Sequence, residues 1–208
     1  PDQLRSMIEN TRAQLQRAAK LHVFGERKGQ KLTVRVEVEN LTGHKFPTGH
    51  PYRRAWLHLI VTNARGRPLF QSGATDKNGA IVGLQNGHSP HRDIITRSEE
   101  VQVYQSVMAD QNGESTWSLL RGASYLKDNR IPPRGFKPSG SDGPQVQVRG
   151  TAATDPNFNA GAGGRDRVTY QIELSETGPL TVEVELLYQS VPPEAVQRLL
   201  GANAPAAK

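Results

Sequence analysis

Histidine side chains are the first candidates for chemistry in this sequence. His44 and His50 lie in the segment 41–50 (LTGHKFPTGH), and His91 lies in the segment 87–93 (GHSPHRD). Glycine and proline bound both segments, which predicts rigid, exposed loops. Neutral imidazole binds zinc, copper or haem iron. We therefore take His44 and His91 as candidate axial ligands of a haem, and His44, His50 and His91 as a candidate mononuclear metal site.

The spacing of these histidines is not a specific metal signature. The sequence contains no His-Glu-x-x-His pattern, and no cysteine accompanies the histidines. Imidazole also forms hydrogen bonds that stabilise loops, and this alternative stays open for each of them.

Oxygen donors form a second group of candidates. Asp155, Asn157, Asn159 and Asp166 surround a glycine-rich run at 161–164. Carboxylate and amide oxygens are the ligands that calcium prefers, so Asp155, Asn157 and Asp166 are a candidate calcium site. No EF-hand pattern is present, and turns rich in Asp and Asn also form without metal.

Catalysis by a nucleophile finds little support. The chain has no cysteine, which excludes disulfides, thiolate metal sites and covalently attached c-type haem within it. No serine lies in a Gly-x-Ser-x-Gly elbow. We therefore expect a module that is not itself an enzyme.

Charge and composition restrict the partners. The net charge is +6, the basic residues are scattered, and aromatic residues make up 6%. Nucleic-acid binding is not expected, because no stacking platform or basic run is evident. No stretch approaches the roughly 20 apolar residues that cross a bilayer. The positive charge fits either a solvated surface or attraction to an acidic partner, haem propionates or anionic envelope polymers.

The predicted elements form one domain with appendages. Residues 1–21 predict an amphipathic helix whose apolar stripe packs against a partner domain. Residues 22–191 alternate apolar and polar side chains over several segments, which predicts a mainly β fold, an immunoglobulin-like antiparallel β-sandwich with long loops. Residues 192–208 predict a short helix and a tail.

Several stretches carry a resemblance to a known family. The segment 40–49 (NLTGHKFPTG), followed by 53–57 (RRAWL), resembles the C-terminal β domain of bacterial multihaem c-type cytochromes. Segments 90–95, 125–136 and 178–189 resemble it as well, so the resemblance covers most of residues 20 to 190.

The resemblance implies a periplasmic or extracellular envelope protein that takes part in electron transfer. In this family the Cys-x-x-Cys-His haem sites lie in a preceding domain, so the implied partner is a c-type haem domain or subunit. His44, and with less support His91, would supply a distal ligand to a partner haem. The absence of cysteine departs from whole family members. A binding module for an envelope polymer or a protein, and a mononuclear His-metal enzyme, stay open as alternatives.

Overall fold

The computed structural model describes residues 2–84, 88–137 and 143–201. Its helices and strands follow in this order: α1 (Asp2–Gln16), β1 (Ala19–Lys28), β2 (Lys31–Asn40), β3 (Arg54–Asn63), β4 (Pro68–Ser72), β5 (Ile94–Ile95), β6 (Val103–Tyr104), β7 (Ser106–Ala109), β8 (Ser115–Thr116), β9 (Ser124–Asp128), α2 (Gly143–Val146), β10 (Arg165–Glu173), β11 (Leu180–Gln189) and α3 (Pro193–Leu200). Three short 3-10 helices lie at Leu119–Arg121, Thr151–Thr154 and Ala160–Ala162.

The first helix is shorter than the sequence predicts. It ends at Gln16, and the residues that we expected to complete it begin β1 instead. This strand pairs with β2 over its whole length, from Ala19 opposite Asn40 to Lys28 opposite Lys31. A tight turn joins them, and Gly29 adopts a φ of 60° there, a conformation that favours glycine. Long-range ladder pairing therefore overrides the local helical pattern.

Two sheets form the body of the molecule. The first has the strand order β1-β2-β10-β5, and the second has the order β11-β3-β4 with β6 also paired to β3. Every pair is antiparallel except β10 with β5, which is parallel. A smaller third sheet has the order β8-β7-β9.

The core lies between the two main sheets. The inward residues of β2, among them Val34 and Val36, pack in one cluster with Leu57 and Leu59 of β3 and with Tyr170 of β10. These residues alternate with exposed or half-buried ones, as expected when one face of a strand is buried. The prediction of a mainly β sandwich with an N-terminal helix is confirmed.

Two further segments complete the fold. Residues 132–165 contain α2 and two of the 3-10 helices among their described residues. The C-terminal helix α3 contacts the sheet through Arg54, which donates to a Glu194 carboxylate oxygen 3.4 Å away. The predicted tail at 202–208 lies outside the described residues. Within the described chain, no helix combines the length and apolar character that a membrane span needs.

Candidate functional site

The loop after β2 is held in place by the buried side chain of Asn40. Its amide nitrogen donates to the carbonyl oxygens of His44, at 2.7 Å, and of Ile131, at 2.9 Å. Its amide oxygen accepts the backbone N–H of Thr42 at 2.8 Å. Phe46 and Ile131 exchange two backbone hydrogen bonds of 2.8 Å. The loop is therefore fixed at both ends of the His44 segment.

The ring of His44 is exposed, and its contacts favour one of its two tautomers. Nδ1 lies 3.2 Å from the Lys45 carbonyl oxygen and 3.1 Å from Thr42 Oγ1. A carbonyl oxygen only accepts hydrogen bonds, so the contact with Lys45 favours the tautomer in which Nδ1 donates and Nε2 holds a lone pair. Nε2 has no hydrogen-bond partner among the described residues. A histidine oriented through Nδ1–H in this way is suited to ligate a metal through Nε2.

His44 borders an open cavity of about 620 Å³ between α1 and this loop. Apolar groups form part of the wall, including Leu15 of α1, Phe46 and the ring of Tyr188. Arg53 also lines the cavity. The site thus combines an imidazole, an apolar wall and cationic donors, a combination suited to an amphipathic ligand.

His50 lies in the same loop but has different contacts. Its Nδ1 accepts the backbone N–H of Tyr52 at 3.3 Å, and the two rings meet edge to face with centroids 4.2 Å apart. Among the described residues, His91, Asp155 and Asp166 form a cluster in which one donor atom of each lies within 4.8 Å of the others. The predicted set of His44, His50 and His91 is not brought together there.

His91 lies in the interior, with a side chain that is 2% exposed. Its Nε2 lies 2.9 Å from Asp155 Oδ2. Two amide nitrogens contact its Nδ1, that of Gln102 at 2.7 Å and that of Asn129 at 3.1 Å. Three polar side chains therefore form hydrogen bonds with the ring.

The side-chain amides of Gln102 and Asn129 cannot be flipped without loss of the hydrogen bonds that their oxygens accept. The amide oxygen of Gln102 accepts the backbone N–H of Arg92 at 2.8 Å. The amide oxygen of Asn129 accepts the backbone N–H of Gln105 at 3.0 Å. Both NH₂ groups must then face the histidine ring, so Nδ1 of His91 is the acceptor and Nε2–H donates to the carboxylate.

Burial lowers the pKa of His91, although the neighbouring Asp155 acts in the opposite direction. The ring is therefore neutral, and both of its nitrogens are engaged in hydrogen bonds. A metal ligated by Nε2 would have to displace the hydrogen donated to Asp155. This arrangement favours a role for His91 in organising the core, and His44 is the better-placed metal ligand.

Asp166 lies beside this histidine and is fully buried. Tyr104 donates its hydroxyl hydrogen to Asp166 Oδ2 at 2.7 Å, whereas no described residue forms a hydrogen bond with Oδ1. Burial raises the pKa of Asp166 to about 7. Lys127 is also buried and donates to the carbonyl oxygens of Ser89 and Val103, both at 2.8 Å. Burial lowers its pKa to about 7, so two ionisable groups of the core titrate near neutral pH.

The predicted calcium ligands are largely bonded to protein groups. The side chain of Asn157 donates to Asp93 Oδ1 at 2.6 Å and accepts the backbone N–H of Arg167 at 3.1 Å. Asp155 Oδ1 accepts the backbone N–H of Asn157 at 2.9 Å. A calcium ion held by Asp155, Asn157 and Asp166 would compete with these bonds, and the site stays a prediction.

Sequence reasoning missed the partners that decide these roles. Gln102 and Asn129 fix the tautomer of His91, and Arg53 lines the His44 cavity. One signal was available: Gln102 stands between Val101 and Val103, and a polar residue inside an apolar run is buried only when it has partners.

Comparisons with known proteins give one structural neighbour. No protein-family model matches the chain, and no curated protein matches it. The crystal structure of a penta-haem cytochrome c552 from Thermochromatium tepidum is similar, with a TM-score of 0.56 and 18% sequence identity. The match covers 94% of this chain and 38% of that chain. At this level of identity the likeness shows a shared fold.

Proposed function

We propose that this chain is a β-sandwich module of a periplasmic multihaem cytochrome c, in which it packs on a haem-bearing domain or subunit. The neighbouring fold belongs to a penta-haem cytochrome, and the match leaves the larger part of that protein uncovered. The chain has no cysteine, so any covalently bound haem belongs to the partner. A role in electron transfer and an envelope location follow from this proposal.

The residue that we assign to the haem is His44. The single observation that carries this assignment is its exposed ring, whose Nδ1–H is fixed by the Lys45 carbonyl and whose Nε2 has no partner among the described residues. An imidazole lone pair of this kind completes the six-fold coordination of a haem iron that already has a proximal histidine. A haem so ligated would supply the electron-carrying chemistry.

Helix α1 provides the surface on which the partner packs. None of its residues is buried, and its apolar side chains are open to solvent: Leu4 is 67% exposed and Met7 is 64% exposed. Exposed apolar groups that lie next to one another mark an interaction site. Because α1 also forms one wall of the His44 cavity, a partner that covers this helix also excludes water from the ligand.

The ligand role can be tested with a ferric c-type haem peptide that carries its own proximal histidine and has water on the opposite side. Titration of the peptide with the complete chain should convert its absorption spectrum from high spin to low spin. The His44→Ala variant should lose this conversion, with an apparent affinity reduced at least about tenfold, or roughly 1.4 kcal/mol.

The matched control is His50→Ala, because His50 lies in the same loop and its Nδ1 is occupied by the Tyr52 backbone. This variant should behave as the unsubstituted chain. An identical low-spin conversion in the His44→Ala variant would show that another group ligates the iron, and the assignment of His44 would then be abandoned.

A further inference from the structure

The cavity next to His44 has an unbalanced charge. Two arginines, Arg17 and Arg53, are among the described residues that line it, and no aspartate or glutamate is among them. Cationic side chains that line a partly apolar concave surface attract an anionic group. The lining therefore indicates the charge of the occupant as well as its apolar character.

Arg53 is the better placed of the two arginines. It is half-buried, and its Nη1 donates to the Thr48 carbonyl oxygen at 3.2 Å. Its Nε and Nη2 have no hydrogen-bond partner among the described residues. Its guanidinium lies against Gly49, where a Cβ atom would come within 2.7 Å of Nη1. The group is therefore held on one side by the loop and keeps donors for a ligand.

A guanidinium with free donors on one edge matches a carboxylate, which accepts two parallel hydrogen bonds from it. The side chain of Arg17 already donates its Nε to the Ala13 carbonyl oxygen and is exposed. Arg17 thus adds positive charge, whereas Arg53 can give directional hydrogen bonds.

We propose that Arg53 binds a carboxylate of the molecule that occupies this cavity, so that the site recognises the propionate edge of a porphyrin together with its apolar ring. This inference rests on the proposed function, because it takes the occupant to be the haem of the partner. The proposal adds a second contact with the haem. His44 would ligate the iron, and Arg53 would bind a propionate at the edge of the porphyrin ring.

Metal-free protoporphyrin IX and its dimethyl ester separate these two roles. Neither contains iron, and the ester has no free carboxylate. In a fluorescence titration of the complete chain, the free acid should bind, and Arg53→Gln should weaken its binding about tenfold, the effect of one charge-assisted pair. The ester should bind less tightly, and Arg53→Gln should leave its affinity unchanged.

Arg12→Gln is the charge-matched control, because Arg12 is an exposed residue of α1 outside the residues that line the cavity. Arg53→Lys keeps the positive charge but lacks the two parallel N–H donors of a guanidinium, so it should give an intermediate affinity. The unfolding midpoint of each variant is measured as well, so that a loss of folding is recognised. Equal losses for Arg53→Gln and Arg12→Gln, or an equal loss with the ester, would overturn the proposal.

The outcomes of the two experiments are independent. A metal-free porphyrin takes no axial ligand, so its dependence on Arg53 persists even when His44 fails to ligate iron. If the chain converts the haem peptide to low spin through His44 but binds no metal-free porphyrin, the carboxylate role of Arg53 is wrong and the ligand role of His44 survives.

Discussion

His44 and His91 present the same side chain in two opposite settings. The ring of His44 is exposed, and the Lys45 carbonyl places the hydrogen on Nδ1. The ring of His91 is buried, and the amides of Gln102 and Asn129 place the hydrogen on Nε2. Within the described part of the chain, Nε2 of His44 has no partner, whereas both nitrogens of His91 are bonded in the core.

The neighbours of a histidine decide its chemistry more than its position in a loop does. Both residues lie in short segments that contain glycine and proline. A carbonyl beside Nδ1 prepares Nε2 for a metal, whereas NH₂ groups beside Nδ1 make the ring a donor to a carboxylate. The exposed site can accept a ligand, and the buried site holds the interior together.

The largest expected effect is on stability and concerns the buried site. His91→Ala removes the hydrogen-bond partner of Asp155 Oδ2 and one partner each of the Gln102 and Asn129 amide nitrogens, and it opens a cavity. Since each unsatisfied buried group costs about 1–3 kcal/mol, the free energy of unfolding should fall by at least about 3 kcal/mol. His44→Ala should change it by no more than about 0.5 kcal/mol. Urea unfolding of both variants measures the contrast, and equal losses would contradict it.

The second expected effect is a dependence of stability on pH that arises in the core. Because the pKa of Asp166 rises from 3.8 to about 7 on folding, the native state binds its proton more tightly between these values. The free energy of unfolding therefore decreases as pH rises from about 4 to about 7, by up to about 1.4 kcal/mol per pH unit. The lowered pKa of His91 opposes part of this trend below pH 6.5.

Lys127 changes the free energy of unfolding in the opposite direction above neutral pH. Its pKa falls from 10.5 to about 7 on folding, so the unfolded chain binds more protons in this range and stability rises with pH. Unfolding of Asp166→Asn and Lys127→Met is compared with the unsubstituted chain. The difference in free energy of unfolding between the unsubstituted chain and Asp166→Asn should vary with pH only below about 7. The corresponding difference for Lys127→Met should vary with pH only above about 7. Differences that stay constant with pH would refute these titrations.

Local sequence patterns were sufficient for several long strands of the fold. The alternation in β2, β10 and β11 predicts strands with one buried face, and the structure places Val34, Val36 and Val168 in the core. The pattern failed at Ala19–Lys28, where pairing with β2 decides the conformation. The stabilisation of this strand comes from its pairing with β2, so the β propensity of the segment itself does not reveal it.

The site was less accessible to sequence reasoning for a related reason. The types of His44 and His91 identify them as candidates, but their tautomers depend on partners that are distant in the chain. Asp155 lies 64 residues from His91, and Asn129 lies 38 residues from it. No periodicity encodes such contacts, whereas the bond between His44 and its neighbour Lys45 is local.

The smallest expected effect concerns the tautomers of the two histidines, which can be measured without any substitution in the core. Long-range proton–nitrogen NMR correlations of the rings, recorded at a pH where the histidines are neutral, distinguish Nδ1–H from Nε2–H. His44 should carry its hydrogen on Nδ1, and His91 should carry it on Nε2. His50 is an internal control, because its Nδ1 accepts the Tyr52 N–H at 3.3 Å and its hydrogen belongs on Nε2.

Thr42→Val removes the hydroxyl 3.1 Å from His44 Nδ1 and should shift the His44 population toward Nε2–H, by an energy of about 0.5 kcal/mol for one exposed hydrogen bond. The spectra of His50 and His91 should not change. A His44 ring that is mainly Nε2–H in the unsubstituted chain would remove the lone pair on which its assignment as a ligand depends.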